Sequence, residues 1–211
     1  MPTDLPNVLT LSRIAAIPVL VLLVATRSSA CDLAACAVFT AAAITDYLDG
    51  HFARRWRQQS DFGRMLDPIA DKLLVGATLM MLAGEGRLSA AGLFPAVVIM
   101  LREILVSGLR EYLAGLRVGL PVTALAKWKT GVQMVALPVL LAGDSGARLI
   151  GLGMLRISAI GEGLLWIAAG LTLVTGWDYL VAALRNVSGP VPVAPDPAPP
   201  PSGHQPRGAG R

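Results

Sequence analysis

Long apolar runs alternate with short polar turns along the first 187 residues, and their unbroken hydrophobicity predicts six helices rather than strands. The first run covers 14–25 and contains Pro18. A bilayer crossing takes about 20 residues, so this helix is expected to start near Asn7, with Thr10 as a candidate N-cap and Arg13 as an interfacial anchor. After a polar turn at 27–32, a second run begins at Leu33 and passes without proline into a charged segment ending near Trp56. A connection at 58–62 leads to a third helix from Gly63 to Leu82, and a Gly-Glu-Gly turn at 84–86 leads to a fourth over 88–113. Residues 115–123 read as a loop, 124–142 as the fifth helix and 143–146 as its end. An amphipathic stretch with Arg148 and Arg156 precedes the sixth helix, 160–184. From Ser188 onward Pro, Gly and Ala replace large apolar residues; such a tail cannot bury enough surface to offset its ordering entropy and is expected to be disordered.

Composition turns these helices into membrane spans. The chain has 211 residues, 54% hydrophobic and 15% charged, the profile of an integral membrane protein. The absence of period-2 alternation argues against a membrane barrel. The expected fold is therefore an all-α integral membrane bundle of six transmembrane helices, residues 1–187, followed by the tail, 188–211. Cys31 and Cys36 lie five apart in one apolar run and read as packing residues, not as a disulfide or a zinc site. No small-residue cleavage site follows the first run, so it is expected to remain as a span.

The placement of charge gives orientation. Arg54, Arg55, Arg57 and Arg64 flank the link between helices two and three, and Arg110, Arg117, Lys127 and Lys129 flank that between four and five. The opposite side has mainly Arg27, Arg87 and Arg148. The positive-inside rule then places both termini and the 46–71 segment in the cytoplasm, and such a distribution reflects oriented insertion rather than nucleic-acid binding.

Within 46–71 stand Asp46, Asp49, Asp67 and Asp71, at the meeting point of two spans. Carboxylates near hydrocarbon cost a few kcal/mol at roughly the lowest estimate, so four imply a cation or a wet functional cavity. At about 100 degrees per residue, Asp46, Asp49, Gly50 and Ala53 share an arc of one helix, with Arg54 at its edge; Asp67 and Asp71 share a face of the next. The short link makes the two helices antiparallel neighbours whose acidic faces can meet. All-oxygen ligands suit hard divalent cations such as Mg²⁺ or Mn²⁺, and two such ions can clamp a diphosphate. Gly50 and Ala53 leave room beside the helix, and Arg54 is suited to phosphate. His51 points away from the acidic arc. The plainer alternative pairs an intramembrane Asp with an arginine on another helix, Arg102 or Arg110.

The pattern Asp46-x-x-Asp49-Gly50-x-x-Ala53-Arg54, eight residues, Gly63-x-x-x-Asp67-x-x-x-Asp71 resembles the signature of the CDP-alcohol phosphotransferase family at every specified position. That resemblance implies a six-helix membrane enzyme which moves a substituted phosphate from a CDP-linked donor to an alcohol and releases CMP. It implies that Asp46, Asp49, Asp67 and Asp71 hold one or two divalent ions and that Asp71 is the general base. By the same resemblance Asp49, Gly50, Ala53, Arg54 and Ser60 bind the nucleotide.

Three further stretches resemble bacterial members that use CDP-diacylglycerol as donor and glycerol 3-phosphate as acceptor: Asn7-x-Leu9-Thr10-x-x-Arg13, Arg102-Glu103-x-x-x-Ser107-x-Leu109-Arg110-Glu111, and Lys127-x-Lys129-Thr130-x-x-Gln133. A doubly anionic acceptor needs cations, and Arg110, Lys127 and Lys129 are the candidates for its phosphate; their alternative role is to anchor helix ends. The resemblance carries expectations of a bacterial inner-membrane location, a homodimer and the lipid bilayer as surroundings. Rival readings are a same-fold synthase with another acceptor, making phosphatidylinositol phosphate or cardiolipin, a divalent-cation transporter, and a catalytically inactive binding protein.

Overall fold

A computed structural model describes residues 5–56, 61–115 and 124–187. The predicted disordered tail lies outside the described residues, as do Ser60, Arg57 and the 116–123 connection. The described residues form six helices: α1 Leu5–Ala25, α2 Ser29–Trp56, α3 Asp61–Gly84, α4 Leu93–Gly115, α5 Ala124–Leu149 and α6 Ile157–Val187. With the family established below, this is an all-α membrane protein. Val8–Ala25 in α1, Ser29–Asp46 in α2 and Ile157–Val181 in α6 are long and apolar enough to cross a bilayer by themselves. Helices α3, α4 and α5 carry charges such as Asp71, Arg102, Glu103 and Lys129 along their length.

Leu22, Met80, Phe94, Leu101, Ile104 and Trp166 are half or more exposed on the outside of the bundle, a surface suited to lipid rather than water. Inside, Leu20, Phe39, Leu74, Ile99, Leu137 and Leu165 form one continuous core. Helices α5 and α6 approach closely because Gly161 has no side chain: a Cβ there would stand 2.7 Å from Leu140 Cγ. Cys31 and Cys36 are both free and partly buried, as packing residues should be.

Several boundaries differ from expectation. Helix α1 begins at Leu5, so Thr10 is not an N-cap but an interior residue, buried, as is Arg13. Helix α2 begins at Ser29, because Asp32 in its first turn suits the positive end of the helix dipole. Helix α4 begins only at Leu93, after a series of turns. Helix α5 runs to Leu149, and the expected break at 143–146 is a kink at Gly143, whose φ of 56° favours glycine.

The principal neighbours are α5 with α6 and α2, α6 with α4, and α1 with both α2 and α3; α3 touches α4 and α5 only lightly. Among the described residues, direct packing of α2 on α3, expected from their short link, is not one of these principal pairs. Instead α1 lies against both, so its side chains reach the acidic residues of each.

Candidate active site

The carboxylates on α2 and α3 are joined through α1. Arg13 Nη2 stands 2.7 Å from Asp46 Oδ1; the arginine is 2% exposed and the aspartate 44%. One turn earlier on α1, the Thr10 hydroxyl donates to Asp67 Oδ1 at 2.5 Å. Spacings of three along α1 and four along α3 put Thr10 and Arg13 on one face, and Asp67 and Asp71 on another. The charges acting on Asp46 include Arg13 and Asp67. Those acting on Asp71 are Asp46, Glu103, Arg13 and Lys129. Asp46, Asp67 and Asp71 are thus brought into one electrostatic neighbourhood.

The plainer alternative of an Asp–Arg pair is realised in part, but with Arg13 as partner. Arg102 instead approaches Glu103 Oε1 at 3.4 Å and donates to the Thr175 hydroxyl at 3.1 Å. Arg110 donates to the Tyr179 hydroxyl at 3.2 Å and lies 5.5 Å from the centre of that ring. Among the described side chains of the four acids, Asp46 is held by an arginine, Asp67 meets a hydroxyl, and Asp71 has neither a hydrogen bond nor an ion pair.

The three candidate acceptor cations are not gathered at one point. Lys127 is exposed, Arg110 is turned to Tyr179, and Lys129 is buried in an ion pair with Glu103. Of the three, Lys129 alone is among the charges acting on Asp71. Beside it, Lys72 on α3 donates to the Ser107 hydroxyl on α4 at 2.6 Å.

The backbone of Asp49, Gly50, Ala53 and Arg54 continues α2, which keeps the helical register expected for the nucleotide-binding set. Their side chains, and Ser60 altogether, lie outside the described residues. Among the described residues no group of three or more His, Cys, Asp or Glu side chains is drawn tightly enough together to hold a metal ion. By donor chemistry the set fits a hard divalent cation: the ligands are carboxylate oxygens, and Asp46 and Asp67 each engage a protein partner through Oδ1.

Sequence reasoning gave Thr10, Arg13 and Glu103 no role in the site. The stretches containing them were visible as patterns, but their partners lie 57, 33 and 26 positions away: Thr10 with Asp67, Arg13 with Asp46 and Glu103 with Lys129. No local periodicity reports such pairings.

A helical membrane bundle with carboxylates on two helices joined through a third is the class that fold and site define. The family model for CDP-alcohol phosphatidyltransferase matches residues 3–174, and the chain belongs to that family. It is 46% identical over 182 residues to a protein of Rickettsia bellii named CDP-diacylglycerol--glycerol-3-phosphate 3-phosphatidyltransferase, covering 86% of this chain and 96% of the relative. A Cereibacter sphaeroides protein of the same name is 39% identical, covering 87% of this chain and 97% of its own length. An Arabidopsis thaliana protein whose name adds only the number 2 is 41% identical, with coverage of 87% and 79%.

Proposed function

We propose that the chain transfers the phosphatidyl group of CDP-diacylglycerol to sn-glycerol 3-phosphate, giving phosphatidylglycerophosphate and CMP. The observation that carries the acceptor and donor is likeness across nearly the whole of several relatives bearing that enzyme name. What the geometry adds is Asp71, a carboxylate without a hydrogen-bonded partner among the described residues, next to a buried lysine.

Asp71 accepts the proton of the acceptor's hydroxyl. The hydroxyl oxygen forms a bond to the phosphorus that carries diacylglycerol, the bond from that phosphorus to the CMP oxygen breaks, and CMP departs with the electron pair. The proton remains on Asp71 until released to water. No Ser, Cys or His among the residues near Asp71 is needed as a nucleophile, so the displacement is direct. Arg13 holds Asp46 and Thr10 holds Asp67, which orients those two carboxylates. Asp46, Asp49, Asp67 and Asp71 are the residues that would hold Mg²⁺ or Mn²⁺, and such an ion supplies charge stabilisation at the diphosphate. Arg54 is the candidate contact for the departing phosphate. The arginine distribution supports a cytoplasmic site in the inner membrane, and a homodimer is the assembly that the resemblance leads us to expect.

The test is a panel of acceptors. Purified protein with CDP-diacylglycerol and Mn²⁺ is offered glycerol 3-phosphate, inositol phosphate, serine or phosphatidylglycerol, and CMP is measured. Release with glycerol 3-phosphate alone is expected. CMP appearing only with another acceptor overturns the acceptor assignment, and cation flux without any CMP release supports the transporter.

A further inference from the structure

We propose that Glu103 is a positioning residue for the acceptor: it holds the Lys129 ammonium beside Asp71, so that the acceptor's phosphate is met while its hydroxyl lies at the carboxylate. This rests on the phosphatidyl-transfer reading above.

The argument starts from burial. Lys129 is 5% exposed, and an ammonium removed from water requires a counter-charge close by. Glu103 on α4 supplies it, in direct contact with Lys129 on α5. Helices α4 and α5 are not among the principal packing pairs, and α3 touches both only lightly. The ion pair therefore bridges the loosest part of the bundle, where α3, α4 and α5 meet, rather than sealing a close helix contact. Asp71 belongs to α3, and both Glu103 and Lys129 are among the charges acting on it.

Glu103 is itself held. Arg102 Nη1 is 3.4 Å from its Oε1, while Arg102 Nη2 donates to Thr175 on α6 and the guanidinium lies 5.9 Å from the Tyr179 ring centre. Gly176 makes room for this arginine: a Cβ there would stand 3.2 Å from Arg102 Cγ. The chain of contacts from α6 through Arg102 to Glu103 and Lys129 fixes the lysine from behind.

Charge and valence decide what this arrangement is for. Arg102 and Lys129 bring two positive charges and Glu103 one negative, so the cluster carries one net positive charge, and Lys129 is the cation of the cluster that acts on Asp71. An ammonium has three donors, and Glu103 engages it from one side, so donors remain for a phosphate monoester. Glu103 thus orients the cation without cancelling the local positive charge.

The experiment uses the full chain in lipid nanodiscs and measures KM separately for glycerol 3-phosphate and CDP-diacylglycerol in wild type, Glu103→Gln, Lys129→Gln and the double variant. Each single variant is expected to raise the acceptor KM about tenfold while the donor KM stays within about twofold, and the double variant should be no worse than Lys129→Gln. An unchanged acceptor KM in Glu103→Gln, an equal rise in both KM values, or effects that multiply in the double variant overturns the proposal. If Glu103→Gln does not fold, Glu103→Asp draws the carboxylate back from Lys129 and should give a smaller rise in acceptor KM; no rise overturns the proposal equally. Wild type is measured first against the acceptor panel. Use of a different phosphorylated acceptor there overturns the glycerol 3-phosphate reading, while the same variants measured with that acceptor still decide the role of Glu103.

Discussion

Asp32 at one end of the bundle and the carboxylates of 46–71 at the other are held in opposite ways. At the end away from the arginine-rich links, Asp32 is 3% exposed and both of its oxygens are taken, Oδ1 by Arg87 at 2.5 Å and Oδ2 by the Ser145 hydroxyl at 2.9 Å. Arg87 donates again to the Leu141 carbonyl at 3.1 Å, tying α2 to α5. Glu162 there also has both oxygens engaged, by the Ser89 amide at 2.6 Å and its hydroxyl at 2.7 Å. At the other end, Asp46 and Asp67 each have one oxygen engaged among the described residues, and Asp71 has none. A buried acid with full valence closes a structure. A carboxylate with valence left over is available to bind or to accept a proton, and on that difference we propose Asp71 as the centre of the chemistry.

That contrast can be broken by mutation, beginning where the effect should be greatest. Asp71→Asn removes the proposed proton acceptor and should lower kcat by about 10²–10⁴-fold while CDP-diacylglycerol still binds, as steady-state rates and donor binding in nanodiscs would show. Asp32→Ala should do the reverse. It leaves the Arg87 guanidinium without its carboxylate and should cost about 3 kcal/mol of stability, read by thermal or denaturant unfolding, with the rate per folded molecule preserved. Arg13→Gln frees Asp46 from its orienting partner and should reduce kcat/KM by about 10²-fold, the scale of a displaced catalytic group, with a smaller change in unfolding temperature. The mildest is Gly161→Ala, on α6 and outside the 46–71 acids: its Cβ would press on Leu140, costing about 1–3 kcal/mol in unfolding assays with no change in either KM. An Asp32 variant that loses turnover in its folded fraction, or an Asp71 variant that loses only stability, would erase the distinction between the two ends.

Much of this was legible in the sequence, for reasons that also mark where reading stops. Six helices followed from continuous apolar runs, and the acids at 46–71 stood out because charge is rare in such surroundings. The spacing of Asp67 and Asp71 placed them correctly on one helix face. What could not be read was partnership across the bundle. Arg13 looked like an interfacial anchor because an arginine near the start of an apolar helix commonly is one, yet it is buried against Asp46. Asp32 looked like part of a polar turn because its counter-ion is 55 residues away. The short link leads one to expect α2 against α3, and among the described residues they are not a principal pair, since a link sets how far apart helix ends can be, not which faces meet. Lys129 was placed among acceptor cations by its position, whereas its contact with Glu103 depends on the relative depth of α4 and α5.

The most direct measurement follows radiolabelled glycerol 3-phosphate into extractable lipid together with CMP release, in proteoliposomes containing CDP-diacylglycerol and Mn²⁺, for wild type, Asp71→Asn and Asp32→Ala side by side. The account predicts label and CMP in equal amounts for wild type and for the folded fraction of Asp32→Ala, and neither for Asp71→Asn. Label that never enters lipid in the wild-type samples, or Asp71→Asn transferring it at the wild-type rate, would contradict it.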